Sequence, residues 1–563
     1  MTAATDTPAE LRTEVLVVGG GPVGLALVTE LGLRGIRTLL VERNTQHARQ
    51  PRAKTTNVRS MEHMRRWGLA DRIRAASPLP PDYPTDIIFA TRLFGRPLAT
   101  IHNAFYGAPG RNDLYSEHAQ WIPQYKVEGV LRDHAATLPG TALRFGLALE
   151  TLDQDEDGVT ASLVHAETGE RLRVRADYAV GADGSRSTLR GLLGIRMQGQ
   201  HAYAQNINLV IRAPQLREAF AGGRSIMYWL VNPDCAAIAG PMDLGDTWYF
   251  GFPLPNGAPT PDEAGLRARM AAAFGRDVAP EILTIDTWAA HSLLADRYRA
   301  GRVFLAGDAC HLHPPFGGYG MNLGISDGVD LGWKLAARLR GWGGEGLLDS
   351  YEAERRPVHR RVIDEAVANY AMLATDLLRD GLESDGPEGD RARAAAGALI
   401  LEHKPREFRT LGVVLGSHYS GSPITIPDGT APPEAQVSDY APSAHPGCLA
   451  PHLWLDDGSS LYDRFGPGFT ALVTAPGGDA AAAPLARAAA RLGIPLALAG
   501  PGDPRLAPLY EAPLALIRPD GHVAWRGALV TDAEAEAILR TAAGLSPRPT
   551  PPESRPAMLE ERT

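Results

Sequence analysis

Three observations predict an α/β fold in which a discontinuous Rossmann-type domain carries an inserted antiparallel sheet and is followed by a second, smaller α/β domain. The apolar run Val15-Leu16-Val17-Val18 enters Gly19-Gly20-Gly21-Pro22-Val23-Gly24 and a helix-like stretch, which is strand, turn, helix. Aromatic and β-branched residues recur between turns from about 200 to 290, with a strand-to-acid turn on either side at Asp183 and Asp308. After about 450 the pattern becomes strand, helix, three short strands, helix. At roughly 100–200 residues per domain, 563 residues allow about three or four cores, enough to bury a large ligand.

Composition removes several function classes. With 44% apolar and 21% charged residues the chain is globular rather than disordered. Fifty-six basic residues against 65 acidic ones leave a formal charge of −9, which disfavours nucleic acid and anionic membrane as partners. The three scattered cysteines, Cys235, Cys310 and Cys448, can build neither a disulfide framework nor a cysteine zinc site. The first eleven residues carry no Lys or Arg and no apolar core, and no later stretch reaches the ~18 apolar residues of a membrane span. A cytoplasmic protein is expected.

Taken in order, the first unit continues past the glycine turn through a helix over 22–34 and a strand over 38–42. Helical spacing follows at 58–67 and 127–136, separated by the proline-broken loop 78–84, because prolines remove amide donors and push their predecessors out of helix. Alternation between 145 and 175 predicts a hairpin or meander leading to the strand 178–181. Strands are expected at 206–211, 225–231 and 247–252, and a mainly helical stretch, with a kink or restart at Pro357, over 347–375. Charge and glycine density mark 380–393 as a surface loop. The expected domains are therefore 1–190 with 295–375 for nucleotide binding, with 75–120 partly lining the substrate side; 191–294 for the inserted substrate sheet; 376–445 as a helical and linker region; 446–545 as the final domain; and 546–563 as a flexible tail.

Gly-x-Gly-x-x-Gly after a strand and opening a helix has a specific physical reading. Gly19 permits the tight turn, Gly21 lets backbone amides approach a pyrophosphate, and Gly24 lets helix and strand pack closely. Glu42, ending the next strand, can accept hydrogen bonds from ribose hydroxyls. Asp183 in Asp183-Gly184-Ser185-Arg186-Ser187-Thr188-Leu189-Arg190 and Asp308 in Gly307-Asp308-Ala309-Cys310-His311 each follow an apolar strand. Each taken alone is a helix N-cap as readily as a ligand contact. Asp308 leads into Pro314-Pro315-Phe316-Gly317-Gly318-Tyr319-Gly320-Met321-Asn322-Leu323-Gly324, a loop able to set amides against a ring on which negative charge develops.

In order and spacing these three motifs resemble the single-component FAD-dependent aromatic hydroxylases of the para-hydroxybenzoate hydroxylase and phenol hydroxylase family, over roughly residues 14–375. The loop Pro80-Pro81-Asp82-Tyr83-Pro84 and Gln124–Leu131 resemble the branch of 2,4-dichlorophenol 6-monooxygenase and actinomycete polyketide hydroxylases, enzymes of secondary metabolism. Residues 440–447, Pro451-His452-x-Trp454-Leu455 and 518–526 resemble the thioredoxin-like C-terminal domain of that branch, here without Cys-x-x-Cys and so redox-inert.

The resemblance implies FAD as cofactor and NADPH or NADH as a transient co-substrate. It places Glu42 on the adenosine ribose, Arg43 on the adenine side, Arg52 and Gln124 near the pyrophosphate or flavin, Asp183 at the pyrophosphate and reductant sites, and Asp308 on the ribityl hydroxyls. Pro315, Gly318, Gly320, Met321 and Asn322 would flank the isoalloxazine, with Pro315 counted also among the catalytic residues. Tyr319 stands where a short polar or basic residue is common in the family. The implied reaction is hydroxylation of a phenolic or polycyclic aromatic substrate with O2 through a flavin C4a-hydroperoxide, helped by deprotonation of the substrate hydroxyl.

For the substrate side, His201, Tyr203, Arg224, Tyr228, Trp229 and Tyr249 lie on or beside the strands expected over the flavin, and Arg224 and Tyr228 are the candidates for orienting substrate. His311 and His313 flank the flavin loop without a third ligand at workable spacing, so no metal is expected. Ile122-Pro123 is similar to the end of the flavin-halogenase signature, but His118 and Gln120 occupy its tryptophan positions. Two alternatives remain open at this point: Baeyer–Villiger insertion on a polyketide ketone, and a catalytically silent FAD-binding subunit. A homodimer is the expected assembly.

Overall fold

The computed structural model describes residues 10–45, 52–217, 222–255, 257–370, 377–475, 479–528 and 531–545; the expected tail 546–563 lies outside them. Its first sheet has the strand order Arg299–Ala300, Val303–Leu305, Arg171–Gly181, Glu10–Val18, Thr38–Glu42, Thr141–Phe145, with Leu147–Gln154 and Val159–His165 hairpinned onto the outer half of Arg171–Gly181. The five strands from Val303–Leu305 to Thr141–Phe145 pair in parallel. Their central stretches Val15–Val18, Leu39–Val41, Tyr178–Val180 and Val303–Leu305 are apolar and buried in one core with the helices Pro22–Leu33 and Gly320–Leu339, which pack on each other.

The second sheet runs His311–Leu312, Glu281–Ala295, Met197–Arg212, Thr247–Leu254, Ala237–Pro241, Met227–Leu230, Ile87–Ala90, Pro97–Ile101. It is antiparallel except where Met227–Leu230 meets Ile87–Ala90. The last two strands come from the segment after the proline loop, where alternation had assigned none. One face packs on the helix Glu263–Phe274 through Phe250, Phe252 and Phe274; the other looks toward the first sheet's carboxyl edge.

Two expectations about the connecting region change. The helix Glu345–Tyr370 runs through Pro357 without a break in its assignment. The surface loop read at 380–393 is largely helix: Gly386–His403 starts one residue after Asp385 and lies along Pro97–Ile101, so close that a Cβ at Gly397 would stand 2.5 Å from Leu98 O. The glycines at positive φ, Gly381 and Gly386, belong to the turn that precedes the helix and to its first position, and the charges Glu388, Asp390 and Arg391 lie on its exposed face.

The C-terminal sheet has the order Leu496–Ala499, Phe469–Val473, Leu514–Ile517, Val523–Gly527, with helices Asp479–Leu492 and Asp532–Ala542. It shares a core with the first unit: Trp333 stacks edge-on against Phe469 at 6.1 Å, and Leu347 joins the same cluster. Beside that core lies a fully buried ionic knot. Arg518, its side chain 0% exposed, donates to both oxygens of Glu354 (2.6 and 2.9 Å), to Asp330 (3.2 Å) and to Asp520 (2.6 Å), while Lys334 bridges Asp330 (2.8 Å) and Glu354 (2.6 Å). Burial raises the Glu354 carboxyl, but Arg518 and Lys334 outweigh it and hold it low; at Asp330 burial wins and the carboxyl is raised.

Removing one member of such a knot strands the others in a dry interior. Arg518→Met should therefore cost about 3–5 kcal/mol of stability, read as a lower urea midpoint. A midpoint within error of the parent would show that the knot does not hold the two units together.

A second prediction concerns pH. Burial holds His313 and His452 down to about 4, and burial opposed by Asp327 leaves His359 at about 3. Their folded values lie below the unfolded value of about 6.5, so the stability they contribute is complete above that pH and is lost as pH falls toward 4. The urea midpoint should fall steadily from pH 7 to pH 4.5, and His452→Gln should make the slope shallower; an unchanged slope would contradict the assignment.

Candidate active site

The site follows from how three parallel strands end. Val18 is in register with Val41 on one side and Gly181 on the other, and Gly181 with Leu305. The next amides continue the ladder: Gly19 N–H donates to Val41 O (2.8 Å), Ala182 N–H to Val18 O (2.8 Å), Ala306 N–H to Gly181 O (2.9 Å). The turns bearing Gly21, Asp183 and Asp308 thus leave one sheet edge side by side, at the point where ligands sit in open α/β sheets. Glu42, Asp183 and Asp308 all line one cleft of about 620 Å³.

The first turn has the geometry of a nucleotide cradle. Gly19 has φ +116°, and a Cβ there would lie 2.2 Å from Ala182 O; a Cβ on Gly24 would lie 2.0 Å from Gly19 O. At Gly21, by contrast, a Cβ would meet no protein atom within 4 Å, so its backbone faces open cleft at the N-terminus of the helix Pro22–Leu33. Glu42 is aimed by Gly20 N–H (2.8 Å) on one oxygen and by the Asn44 amide (2.9 Å) and side chain (2.6 Å) on the other. Arg43, Arg52 and Gln124 share this wall, and Gln124 donates to Glu128 at 2.8 Å.

The other two turns are tied together. Arg190 donates to Ala309 O and Ser185 O, both at 2.9 Å, bracing the Asp183 turn on the Asp308 turn. Asp183 Oδ2 accepts from Leu189 N–H at 3.1 Å, while its buried Oδ1 has no hydrogen-bond partner among the described residues. Asp308 sits deep in the protein but opens onto the cleft. Burial pushes its carboxyl up, and His311 and Arg52 pull it back. Behind it, Asp327 accepts from Gly307 N–H (2.9 Å) and Arg355 (2.8 Å) and pairs with His311 (3.1 Å) and His359 (2.9 Å). Cys310, His311, Asp327 and His359 converge within 4.8 Å, yet both Asp327 oxygens are already taken, so the cluster is a hydrogen-bond hub that fixes the Asp308 turn. The set fits FAD: free amides at Gly21, a carboxylate at the second strand end, and an orphaned carboxylate oxygen at Asp183.

Pro315, Gly318, Gly320 and Met321 line the same cleft. Asn322 does not form its wall. Its side chain turns back to hold the loop, donating to Thr55 O (2.9 Å) and Gly318 O (2.7 Å) and accepting from Asn57 N–H (2.9 Å). Gly24 is also off the wall and acts through packing. Tyr319 is buried away from the cleft against Val358 and Val362, over Gly317, whose φ of +92° leaves room for the tyrosine ring.

Beyond the loop the cleft becomes an aromatic chamber, and here the sequence reading is corrected. Tyr228 faces the opposite side of its strand: it is buried, donates to Gly223 O (2.8 Å) and stacks with Trp248 at 6.0 Å. Arg224 lies exposed just before that strand and is not on the cleft wall. Neither can orient a ligand in this cavity. The error is one of parity, since strand side chains alternate and Met227 and Trp229, not Tyr228, face inward. His201 meets His291 edge-on and Tyr203 meets Tyr370 edge-on, both off the wall, whereas Tyr249 is on it.

Trp229 and the motif residue Phe316 are joined in the chamber by Phe105, Trp121, Phe408, Asn206, Asn208 and Trp288, which the sequence did not single out. Phe105 and Trp121 stack at 6.4 Å, Trp229 meets Phe316 at 6.1 Å, Phe408 closes on Phe105 at 5.5 Å, and Asn206, Asn208 and Trp288 add the far wall. Phe105 and Tyr106 hold φ of +58° and +64°, which costs about 1–2 kcal/mol for each such residue, a strain typical of ligand-facing turns. Of the residues not singled out, Trp121 stands next to Ile122-Pro123, while Phe105, Phe408, Asn206, Asn208 and Trp288 are brought in by tertiary folding. Lys54 also lines the chamber, its ammonium 4.2 Å from the Tyr249 ring centre.

Comparison with known proteins agrees with this geometry. Residues 12–366 match the family described as FAD binding domain, and 443–545 the one described as aromatic-ring hydroxylase, C-terminal. The chain is 36% identical to aklavinone 12-hydroxylase DnrF of Streptomyces peucetius, over 83% of this chain and 92% of that protein, and 31% identical to 2,4-dichlorophenol 6-monooxygenase of Delftia acidovorans, over 92% and 95%. The solved structure of RebC with bound 7-carboxy-K252c superposes with a TM-score of 0.87 at 35% identity, covering 96% of this chain and all of that one. With a nucleotide cradle, a flavin-flanking loop and an aromatic chamber in one cleft, the chain belongs to the FAD-dependent aromatic-ring hydroxylases.

Proposed function

We propose that this monooxygenase hydroxylates a flat, polycyclic phenol of the polyketide type, using NADPH or NADH and O2. The single observation that carries this reading is the continuity of the cleft: the wall passes from Gly21, Glu42 and Asp308 through Pro315–Met321 into the chamber of Phe105, Trp121, Trp229 and Tyr249. Bound FAD, reduced by the nicotinamide, supplies the activation of O2 that no side chain can provide.

What the chain contributes is positioning and exclusion of water. The Gly19–Gly24 turn and Glu42 would hold the nucleotide end of FAD and Asp308 its ribityl chain, which would leave Pro315, Gly318 and Met321 to flank the ring. Stacked aromatic rings bind flat surfaces over a large area while leaving few polar groups to admit water, which keeps activated oxygen from being lost. DnrF and RebC, whose names tie them to the polycyclic compounds aklavinone and 7-carboxy-K252c, support this class. Among the described residues no helix is long and apolar enough to cross a membrane, and the three free, buried cysteines fit a cytoplasmic location.

Two outcomes check the reading. Gly21→Val, whose Cβ meets no protein atom, should fold with an unchanged circular dichroism spectrum yet purify colourless, and Asp308→Ala should lose at least about tenfold in FAD affinity by fluorescence quenching. Full flavin content in both would show that the cofactor lies elsewhere. With a panel of hydroxylated anthraquinones and naphthacenequinones, nicotinamide oxidation should accelerate and ¹⁸O2 should place one labelled oxygen on a ring carbon. Label in a lactone would instead make this a Baeyer–Villiger enzyme, and no stimulation by any panel member would make it a silent flavin subunit.

A further inference from the structure

The aromatic chamber contains one charged group that neither the cofactor cradle nor the packing of the walls uses. Lys54 follows the segment carrying Arg52 and precedes the two-residue strand Thr55–Thr56, which pairs with Gln120–Trp121. Its backbone is pinned: Ile122 N–H donates to Lys54 O at 2.7 Å and Gln124 N–H to Ala53 O at 2.9 Å. Asn322 grips the neighbouring Thr55 O, so Lys54 stands between the flavin-flanking loop and the roof, with its ammonium over Tyr249.

An ammonium in such a place normally has a carboxylate beside it, because stripping it of water without a partner is costly. Among the described residues none pairs with Lys54. Glu407, which shares the chamber wall, is taken by Lys404 at 2.6 Å. Glu128 lies at the Gln124 side of the cleft and accepts from Gln124. The Tyr249 hydroxyl donates to Ile226 O at 3.1 Å and offers Lys54 only its ring face. The arginines Arg43 and Arg186 belong to the nucleotide turns. A cation held at an aromatic-walled cavity with a π-face beneath it and no counter-ion is complementary to an oxyanion on a flat aromatic ligand.

We propose that Lys54 is a catalytic residue whose neutral amine takes up the proton of the substrate's phenolic hydroxyl and whose ammonium, once formed, holds the resulting phenolate beside the Tyr249 ring. This deepens the polycyclic-phenol reading above and rests on it. The substrate O–H bond breaks and an N–H bond forms on Lys54; the electron pair stays on oxygen and enriches the ring carbons that are to be hydroxylated, with no net redox change in the step. Burial lowers the Lys54 ammonium to about 8, close enough to a phenol for the proton to be shared in either direction near neutral pH.

Alizarin, a flat tricyclic hydroxyanthraquinone that changes from yellow to purple on ionising, tests this in the FAD-loaded enzyme at wavelengths beyond flavin absorption. Bound to the parent enzyme, its apparent pKa should fall by about one unit or more, a tenfold shift toward the anion. In Lys54→Met the bound dye should ionise as it does in free solution, and Lys54→Arg should retain most of the shift. The dimethyl ether of alizarin should bind the parent at least tenfold more weakly than alizarin, and Lys54→Met about equally well. If alizarin binds and Lys54→Met leaves its ionisation unchanged, the Lys54 assignment is wrong while the chamber reading stands. If alizarin does not bind the parent holoenzyme, the polycyclic reading itself falls and this inference with it. Loss of FAD from Lys54→Met would move the lysine to the cofactor site and overturn the proposal.

Discussion

The site depends on one constraint: Glu10–Val18, Arg171–Gly181 and Val303–Leu305 are adjacent parallel strands that end level with one another. Because their ladders stop at the same edge, the backbone beyond each must leave the sheet together, and its amides and carboxylates face one space. Displacing any one strand by a residue would separate Asp308 or Asp183 from the Gly21 turn by about 3 Å and turn its side chain to the other face. Much else serves this alignment. Arg190 laces the Asp183 and Asp308 turns together, Asp327 braces the Asp308 turn from behind, and the close approach of the helices Pro22–Leu33 and Gly320–Leu339 is made possible by Gly324, Gly328 and Gly332.

The C-terminal unit is coupled to that frame through charge as well as apolar packing. Arg518 and Asp520 arrive from the turn before Val523–Gly527, while Asp330, Lys334 and Glu354 project from the two long helices behind the cofactor edge. With no cysteine pair for redox work, this domain's physical role lies in that contact: it covers the back of the helix whose other end opens on the flavin-flanking loop. A buried network of this kind has directional bonds and so selects one docking geometry, which apolar packing of Trp333 on Phe469 alone would specify less sharply.

Local patterns made the frame readable, and tertiary assembly hid the chamber. Gly19, Gly21, Gly24, Glu42, Asp183 and Asp308 sit at strand ends where a glycine or acid has few meanings, so short-range spacing sufficed to group their turns at one sheet edge. The six C-terminal elements were legible for a similar reason, being short apolar runs cut by clear turns. The chamber wall was not. Tyr228 and Trp229 are neighbours in a buried four-residue strand whose apolar residues carry no alternation, so nothing in the chain tells which of them faces the cavity. Phe105 and Phe408 come from a strained turn and a late short helix, and Lys54 immediately precedes a two-residue strand; these elements are too small to announce themselves, and the three residues meet only in the folded protein. The loop read at 380–393 failed differently: a glycine-bearing turn over 381–386 runs straight into the exposed, charged first turns of a helix, and the two together have the composition of a linker.

A crystal structure of the protein loaded with FAD measures the central claim most directly. The account requires a single FAD whose ribose lies on Glu42, whose pyrophosphate lies over Gly21 and whose ring edge meets Pro315–Met321, opening onto Trp229 and Tyr249. Density for the flavin ring outside that loop, or a nucleotide that leaves Asp308 and Asp183 facing solvent, would contradict it.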